Sequence, residues 1–297
     1  MNVLIAGDLS CLAAAFVSAF LKEKFKVVLV GSNVNVEAFR MPNVSVHQIS
    51  PSAEHFGDIA SAYKFDAAIY LPTREEQQLV SGRQNSGHHL DGLLNVLEVC
   101  KKEGTQRFFY ISSTEVYGNQ EYLFESEGTI PASVNGLSLK TGEQYCLHYS
   151  EQGGIYPTIL RIPFLYGPDE KNTFLHKVIK DCAGRKKVVF PGHENTLCNF
   201  LHTADVVDFI LRALDMPVNA FQAVNLSSAD SLTFAQLAEL LKIHFPGAVF
   251  EFQQSGRIYT RVAGGLSARR NYDWIAEHSL IHELPGCIEA VEREPRQ

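Results

Sequence analysis

The chain has 297 residues, 45% of them hydrophobic, which is enough for a sizeable buried core and excludes a disordered or fibrous polypeptide. Its 26 basic against 33 acidic side chains leave a formal charge of -7, which argues against a nucleic-acid partner. Apolar runs are all too short for a membrane span, and Met1–Ala6 lacks the basic leader and small-residue cleavage site of an export signal, so a cytoplasmic protein without membrane association is expected.

In chain order, strand-like runs alternate with segments of helical period. A strand at Val3–Ala6 precedes a helix at Leu9–Phe20, then strands at Val27–Val30, Val44–Ile49 and Ala67–Leu71. A helix over Leu90–Val99 leads to a strand at Phe108–Ile111, a helix over Leu137–Tyr149 and a strand at Thr158–Arg161. The early strands are β-branched and continuously apolar, as strands covered on both faces must be. This pattern predicts an α/β chain with a Rossmann-type doubly wound parallel sheet.

After Tyr166 the alternation loosens. The turn Gly167-Pro168-Asp169 is followed by helices at Phe174–Cys182, Ala204–Leu214 and Phe234–Ile243, with strands at Lys187–Phe190, Ala223–Leu226 and Val249–Phe252. The expected organisation is a dinucleotide-binding domain over residues 1–165, to which 200–228 return, and a small interleaved C-terminal lobe over 166–199 and 229–297.

Six cysteines are widely spread without a CxxC pair, so reduced, mostly buried thiols are expected rather than a zinc site or disulfide framework. The neighbouring His88 and His89 lack the spacing that lets two imidazoles share a metal on one helix face, and no metal is expected. Carboxylates Glu143, Glu151 and Asp169, at helix ends and in a loop, are expected to be solvated.

The first strand–helix junction is where a dinucleotide fold places its glycine turn. Here it reads Gly7-Asp8-Leu9-Ser10-Cys11-Leu12-Ala13, keeping one glycine of GxxGxxG, with Ser10 and Ala13 as small replacements. A carboxylate at Asp8 would cap the helix N–H groups and compete with a cofactor phosphate. The acidic residue that would close the second strand and hold the ribose is missing from Gly31-Ser32-Asn33, leaving Ser32 there. Gly7, Ser10, Ala13 and Ser32 are thus the candidate contacts for NAD or NADP, whose binding the sequence leaves open.

From Tyr110 on, a set of ordered motifs resembles the extended short-chain dehydrogenase/reductases that act on nucleotide sugars as epimerases, dehydratases and decarboxylases. The carriers are Ile111-Ser112-Ser113-Thr114-Glu115-Val116-Tyr117-Gly118 for SSxxVYG, Leu93-Leu94-Asn95-Val96-Leu97-Glu98, Gly142-Glu143, Arg161–Pro168 for RxxNxYGP, and Phe200–Val206 for FxHVDDV, with Asn225 and Trp274 also in place. The resemblance implies the same fold, a nucleotide-sugar-like ligand, and a homodimer through Leu90–Val99 and Leu137–Tyr149.

It also exposes what is missing. That family uses a Tyr for proton exchange and a Lys four residues on; here Asn135 and Leu139 stand in those places. An amide is no general base near neutral pH and a leucine carries no charge. Ser113 remains at the family's Ser/Thr position and Glu115 matches an acid of the same loop, so these are the candidate catalytic residues; Lys140 is one residue late and expected to point elsewhere. On the substrate side, Phe164 and Cys198 replace the Asn and Arg that contact the diphosphate, His89 replaces an Asn, Ser50 an Asp that faces adenine, and Arg261 is the candidate surviving phosphate contact. The expected function is a non-catalytic binding or partner subunit; the alternative is an active enzyme using Glu115 or Lys140.

Overall fold

A computed structural model describes the whole chain except residues 11, 73–85, 121–122, 169, 172, 218–219, 229, 254–259, 262 and 295–297. Among the sequence-derived candidates, Cys11 and Asp169 lie outside the described residues, as do the side chains of His88 and Arg261. The backbone divides into two compact units. The first holds Met1–Gly118, Thr129–Arg161 and Ile210–Val224; the second holds Asn119–Gly128, Ile162–Phe209 and Asn225–Gln297.

The first unit is built on a seven-stranded sheet. Its elements are β1 (Asn2–Gly7), α1 (Ala13–Lys22), β2 (Lys26–Val30), β3 (Val44–His47), α2 (Phe56–Ala60), β4 (Ala67–Leu71), α3 (Ser86–Glu103), β5 (Arg107–Ser113), α4 (Val134–Glu151) and β6 (Tyr156–Ile162). The strand order is β10-β6-β5-β4-β1-β2-β3, where β10 (Gln222–Asn225) comes late in the chain. The pairs β1–β2, β1–β4, β2–β3 and β4–β5 are parallel. This is the doubly wound Rossmann order, and strand order reverses between β1 and β4. Val3, Leu4, Ile5 and Ala6 of β1 and all five residues of β4 are buried, as a sheet covered on both faces requires.

Helix α1 turns Ala13, Phe16, Val17 and Phe20 inward, the i, i+3, i+4, i+7 stripe of an amphipathic helix. Its periodicity predicts a start at Leu9, yet it begins at Ala13. The reason is local: the Ser10 N–H donates to Asp8 Oδ1 at 3.0 Å, closing a turn, and Leu12 has φ 65°, outside the right-handed helical region.

The second unit carries β7 (Phe164–Tyr166), α5 (Phe174–Ala183), β8 (Val188–Phe190), β9 (Leu197–His202), the start of α6 (Thr203–Asp215), β11 (Ser231–Thr233), α7 (Phe234–His244), β12 (Phe250–Phe252), β13 (Thr260–Arg261), α8 (Leu266–Tyr272) and α9 (Leu280–Glu292). Strand β9 is its hub, pairing antiparallel with β11 and parallel with β7 and β13. An apolar cluster that includes Tyr166, Phe190, Phe200, Phe234, Leu284 and Ile288 forms its core. The five described cysteines are free and buried: Cys100 and Cys146 in the first unit, Cys182, Cys198 and Cys287 in the second. Burial pushes the Cys100 and Cys287 thiols up to about 12.

Candidate functional site

The glycine turn lies at the end of β1, beside the point where strand order reverses. Gly7 has φ 117°, and a Cβ there would meet the Leu71 carbonyl oxygen at 1.9 Å, so the close approach of β1 to β4 demands glycine. Past it, the Asp8 N–H donates to Leu71 O at 2.8 Å, and the Asp8 carboxylate accepts from Ser10. Ser10 is exposed and Ala13 fully buried. Ser32 follows β2, exposed to solvent, while Leu9 is buried against Gly31. The close approach at Gly7 is kept, but the Asp8 and Ser10 N–H groups are engaged by the chain itself. These residues do not fit a dinucleotide pyrophosphate held in the usual way.

At the end of β5 the chain enters a 3₁₀ turn, Thr114–Tyr117, whose cap is Ser113: its Oγ accepts from the Glu115 N–H at 3.2 Å. The Glu115 carboxylate reaches the start of α4, where Oε2 accepts from Ser133 Oγ at 3.0 Å and from Asn135 Nδ2 at 3.1 Å. Ser133 caps α4 through the Gly136 N–H. The amide at the tyrosine position is therefore bound to the loop carboxylate. Leu139, at the lysine position, is 5% exposed and part of the core. Ser113, Glu115 and Asn135 come together; Leu139 faces away from solvent beside them.

One turn further along α4, one expectation needs correcting. Glu143 is not solvated: it is 1% exposed and forms a bidentate pair with Arg161, Oε1 to Nε at 3.0 Å and Oε2 to Nη2 at 2.8 Å. Ser112 Oγ donates to the same carboxylate at 2.7 Å, and Arg161 Nη1 donates to the Tyr117 hydroxyl at 2.9 Å. Burial opposes the Arg161 charge, yet the hydrogen bonds and charge of Glu143 hold its pKa above the ordinary value. Lys140 lies 3.8 Å from Glu143 Oε2, so it belongs to this ion cluster. Its partner is a buried carboxylate, while the Lys140 side chain itself is 27% exposed.

A second buried group that local sequence patterns did not announce lies between the sheet and the helices α3 and α4. The rings of Tyr70, His89 and Tyr110 are nearly parallel, with centroids 5.6 to 6.3 Å apart. Tyr70 donates to the His89 carbonyl at 2.7 Å, and His89 Nε2 meets the Tyr110 hydroxyl at 3.1 Å. Burial pushes the His89 pKa down to about 4, so the ring is neutral. Gly142 makes room for the Tyr110 hydroxyl, which a Cβ would meet at 2.3 Å.

In the second unit, Phe164 stacks on Phe174 at 4.9 Å and on Phe200 at 5.5 Å, and Cys198 is fully buried. An aromatic cluster occupies the two positions where the resemblance expects diphosphate contacts. Asp205 is 3% exposed and accepts from the backbone of Glu277 and His278, while Asn225 Nδ2 donates to Leu123 O at 2.8 Å. Trp274 Nε1 donates to Asp208 Oδ2 at 3.1 Å. These motif residues hold the unit together. No group of three or more His, Cys, Asp or Glu side chains suited to a metal occurs among the described residues.

Comparison with known proteins follows the same outline. Residues 3–227, more than half of the chain, match the family model for the NAD dependent epimerase/dehydratase family. A putative UDP-glucose 4-epimerase of Methanocaldococcus jannaschii is 24% identical over 316 residues, covering 99% of each chain. An uncharacterized UDP-glucose epimerase of Bacillus subtilis is 27% identical over 159 residues, which are 53% of this chain and only 50% of that relative's length. Among solved structures, the UDP-glucuronic acid 4-epimerase of Bacillus cereus, in complex with UDP-glucuronic acid and NAD, superposes with a TM-score of 0.88 at 18% identity, covering 99% of both chains. The Thermotoga maritima UDP-glucose 4-epimerase with UDP-glucose gives 0.86 at 20% identity, again over 99% of both. With the sheet order, the turn at Gly7 and the family match in agreement, the chain belongs to the NAD-dependent epimerase/dehydratase family.

Proposed function

We propose that this chain is a non-catalytic member of its family, retained as a binding or partner subunit. The observation that carries the reading is the pair of positions on α4: Asn135 donates its amide to Glu115, and Leu139 is buried. Neither side chain exchanges a proton near neutral pH, and loss of one general acid–base group alone costs roughly 10²–10⁴ in rate. The groups that could substitute are engaged elsewhere, Glu115 with Ser133 and Asn135, and Lys140 with Glu143. The ligand we assign is a nucleotide-sugar-like molecule, on the strength of relatives that carry UDP-glucose and UDP-glucuronic acid.

A homodimer is part of the same proposal, supported by Val134 and Leu137, which stand 62% and 59% exposed on one side of α4. A cytoplasmic setting agrees with the described residues, where no helix is long and apolar enough to cross a membrane. The test is to incubate the purified chain with UDP-glucose or UDP-glucuronic acid and added NAD, and follow the sugar by NMR. No epimer or dehydrated sugar is expected. Turnover that disappears in Glu115→Gln would sink the proposal and install the alternative, an enzyme with a displaced acid–base group.

A further inference from the structure

We propose that the dinucleotide turn of this chain is occupied from within: the Asp8 carboxylate stands in the pyrophosphate's place, and the Leu9 side chain in that of the adenosine ribose. This concerns the phosphate end of the fold rather than the reacting end at Asn135, so the two readings stand or fall separately.

A phosphate at this junction is held by free backbone N–H groups at the end of the first strand and the start of the helix. Two of those groups are already used. The Asp8 N–H donates to Leu71 O at 2.8 Å, and the Ser10 N–H to Asp8 Oδ1 at 3.0 Å. The second acceptor carries a full negative charge, which repels an incoming phosphate as well as displacing it. Two N–H groups of the turn are thereby engaged within the chain, one of them by a charge of the same sign as a phosphate.

The ribose of a dinucleotide lies over the end of the second strand, where an acidic side chain holds its hydroxyls. That end is here Gly31 and Ser32. Leu9 Cγ and Cδ1 lie 2.9 Å from where a Cβ on Gly31 would sit, and Leu9 is only 6% exposed. A buried isobutyl group thus covers the platform, and a ribose could reach it only by lifting Leu9 into solvent. Ser32 beside it is exposed and carries no charge to hold the sugar. The two blocking side chains, Asp8 and Leu9, are adjacent in sequence.

The test uses ADP, which has the adenosine and the diphosphate but no nicotinamide and so never meets Asn135 or Leu139. It is titrated calorimetrically into the full chain as wild type, as Asp8→Asn, and as the double variant Asp8→Gly/Leu9→Ala, with thermal melts as the fold control. Wild type is expected to show no binding up to roughly 1 mM, and the double variant to bind at least about tenfold tighter than that bound. Micromolar binding of ADP by wild type overturns the proposal. So does a double variant that melts like wild type and gains nothing. Should the double variant melt early, Asp8→Asn decides, because its amide oxygen can accept the same Ser10 N–H while the charge is gone; a gain supports the proposal and no gain overturns it.

Discussion

Glu143 lies on α4 and Glu115 meets the start of that helix, with unlike surroundings. Glu143 is 1% exposed, with Arg161, Ser112 and Lys140 around both oxygens. Glu115 is half-buried and draws its two side-chain donors, Ser133 and Asn135, to a single oxygen. The first carboxylate is locked into the framework that holds α4 to β5 and β6. The second stands at the start of α4, where Ser133 and Asn135 hold it.

The sharpest way to break that contrast is Arg161→Met. It leaves a buried carboxylate with only Ser112 and Lys140, and a loss of roughly 3–5 kcal/mol in urea unfolding is expected. A loss below about 1 kcal/mol would mean that Lys140 alone can carry Glu143.

His89 supplies a second measure of how closed this layer is. The unfolded chain takes a proton near pH 6.5, the folded one only near 4, because burial disfavours the imidazolium. More protons bind to the unfolded state across that window, so stability falls as pH drops through it, by up to roughly 3 kcal/mol. Urea midpoints of wild type and His89→Asn at pH 7 and pH 4.5 check this. The slope should flatten in the variant, and an equal slope in both would place the cause elsewhere.

The smallest effect is expected at Glu115. Glu115→Gln keeps an acceptor for Ser133 and Asn135, and a change of about 1 kcal/mol or less should be seen in the same assay. If it matched Arg161→Met, the two carboxylates would not differ as described.

The central sheet was legible because β1, β2 and β4 are apolar on both faces, a pattern that leaves few alternatives. That Asn135 and Leu139 share one helix was also legible, since their four-residue spacing is a helical one. What escaped was non-local. Glu143 reads as an ordinary helix-end carboxylate until Arg161, on a different element, is brought against it. The late start of α1 depends on a backbone bend at Leu12, which side-chain periodicity does not report. Strands β7, β11 and β13 are two or three residues long, too short for alternation to rise above their surroundings. The stack of Tyr70, His89 and Tyr110 joins three elements and has no local signature.

The buried cysteines give the molecule a built-in reporter of its own opening. Cys100 and Cys146 are sealed in one unit, and Cys182, Cys198 and Cys287 in the other, each at most 4% exposed. A thiol reagent reaches any of them only through an excursion that uncovers it, and the thiolate that reacts is scarce at Cys100, Cys146, Cys182 and Cys287, whose pKa values burial raises. Peptide mapping of the label over time would therefore read the opening of each unit separately, from one sample of unaltered protein.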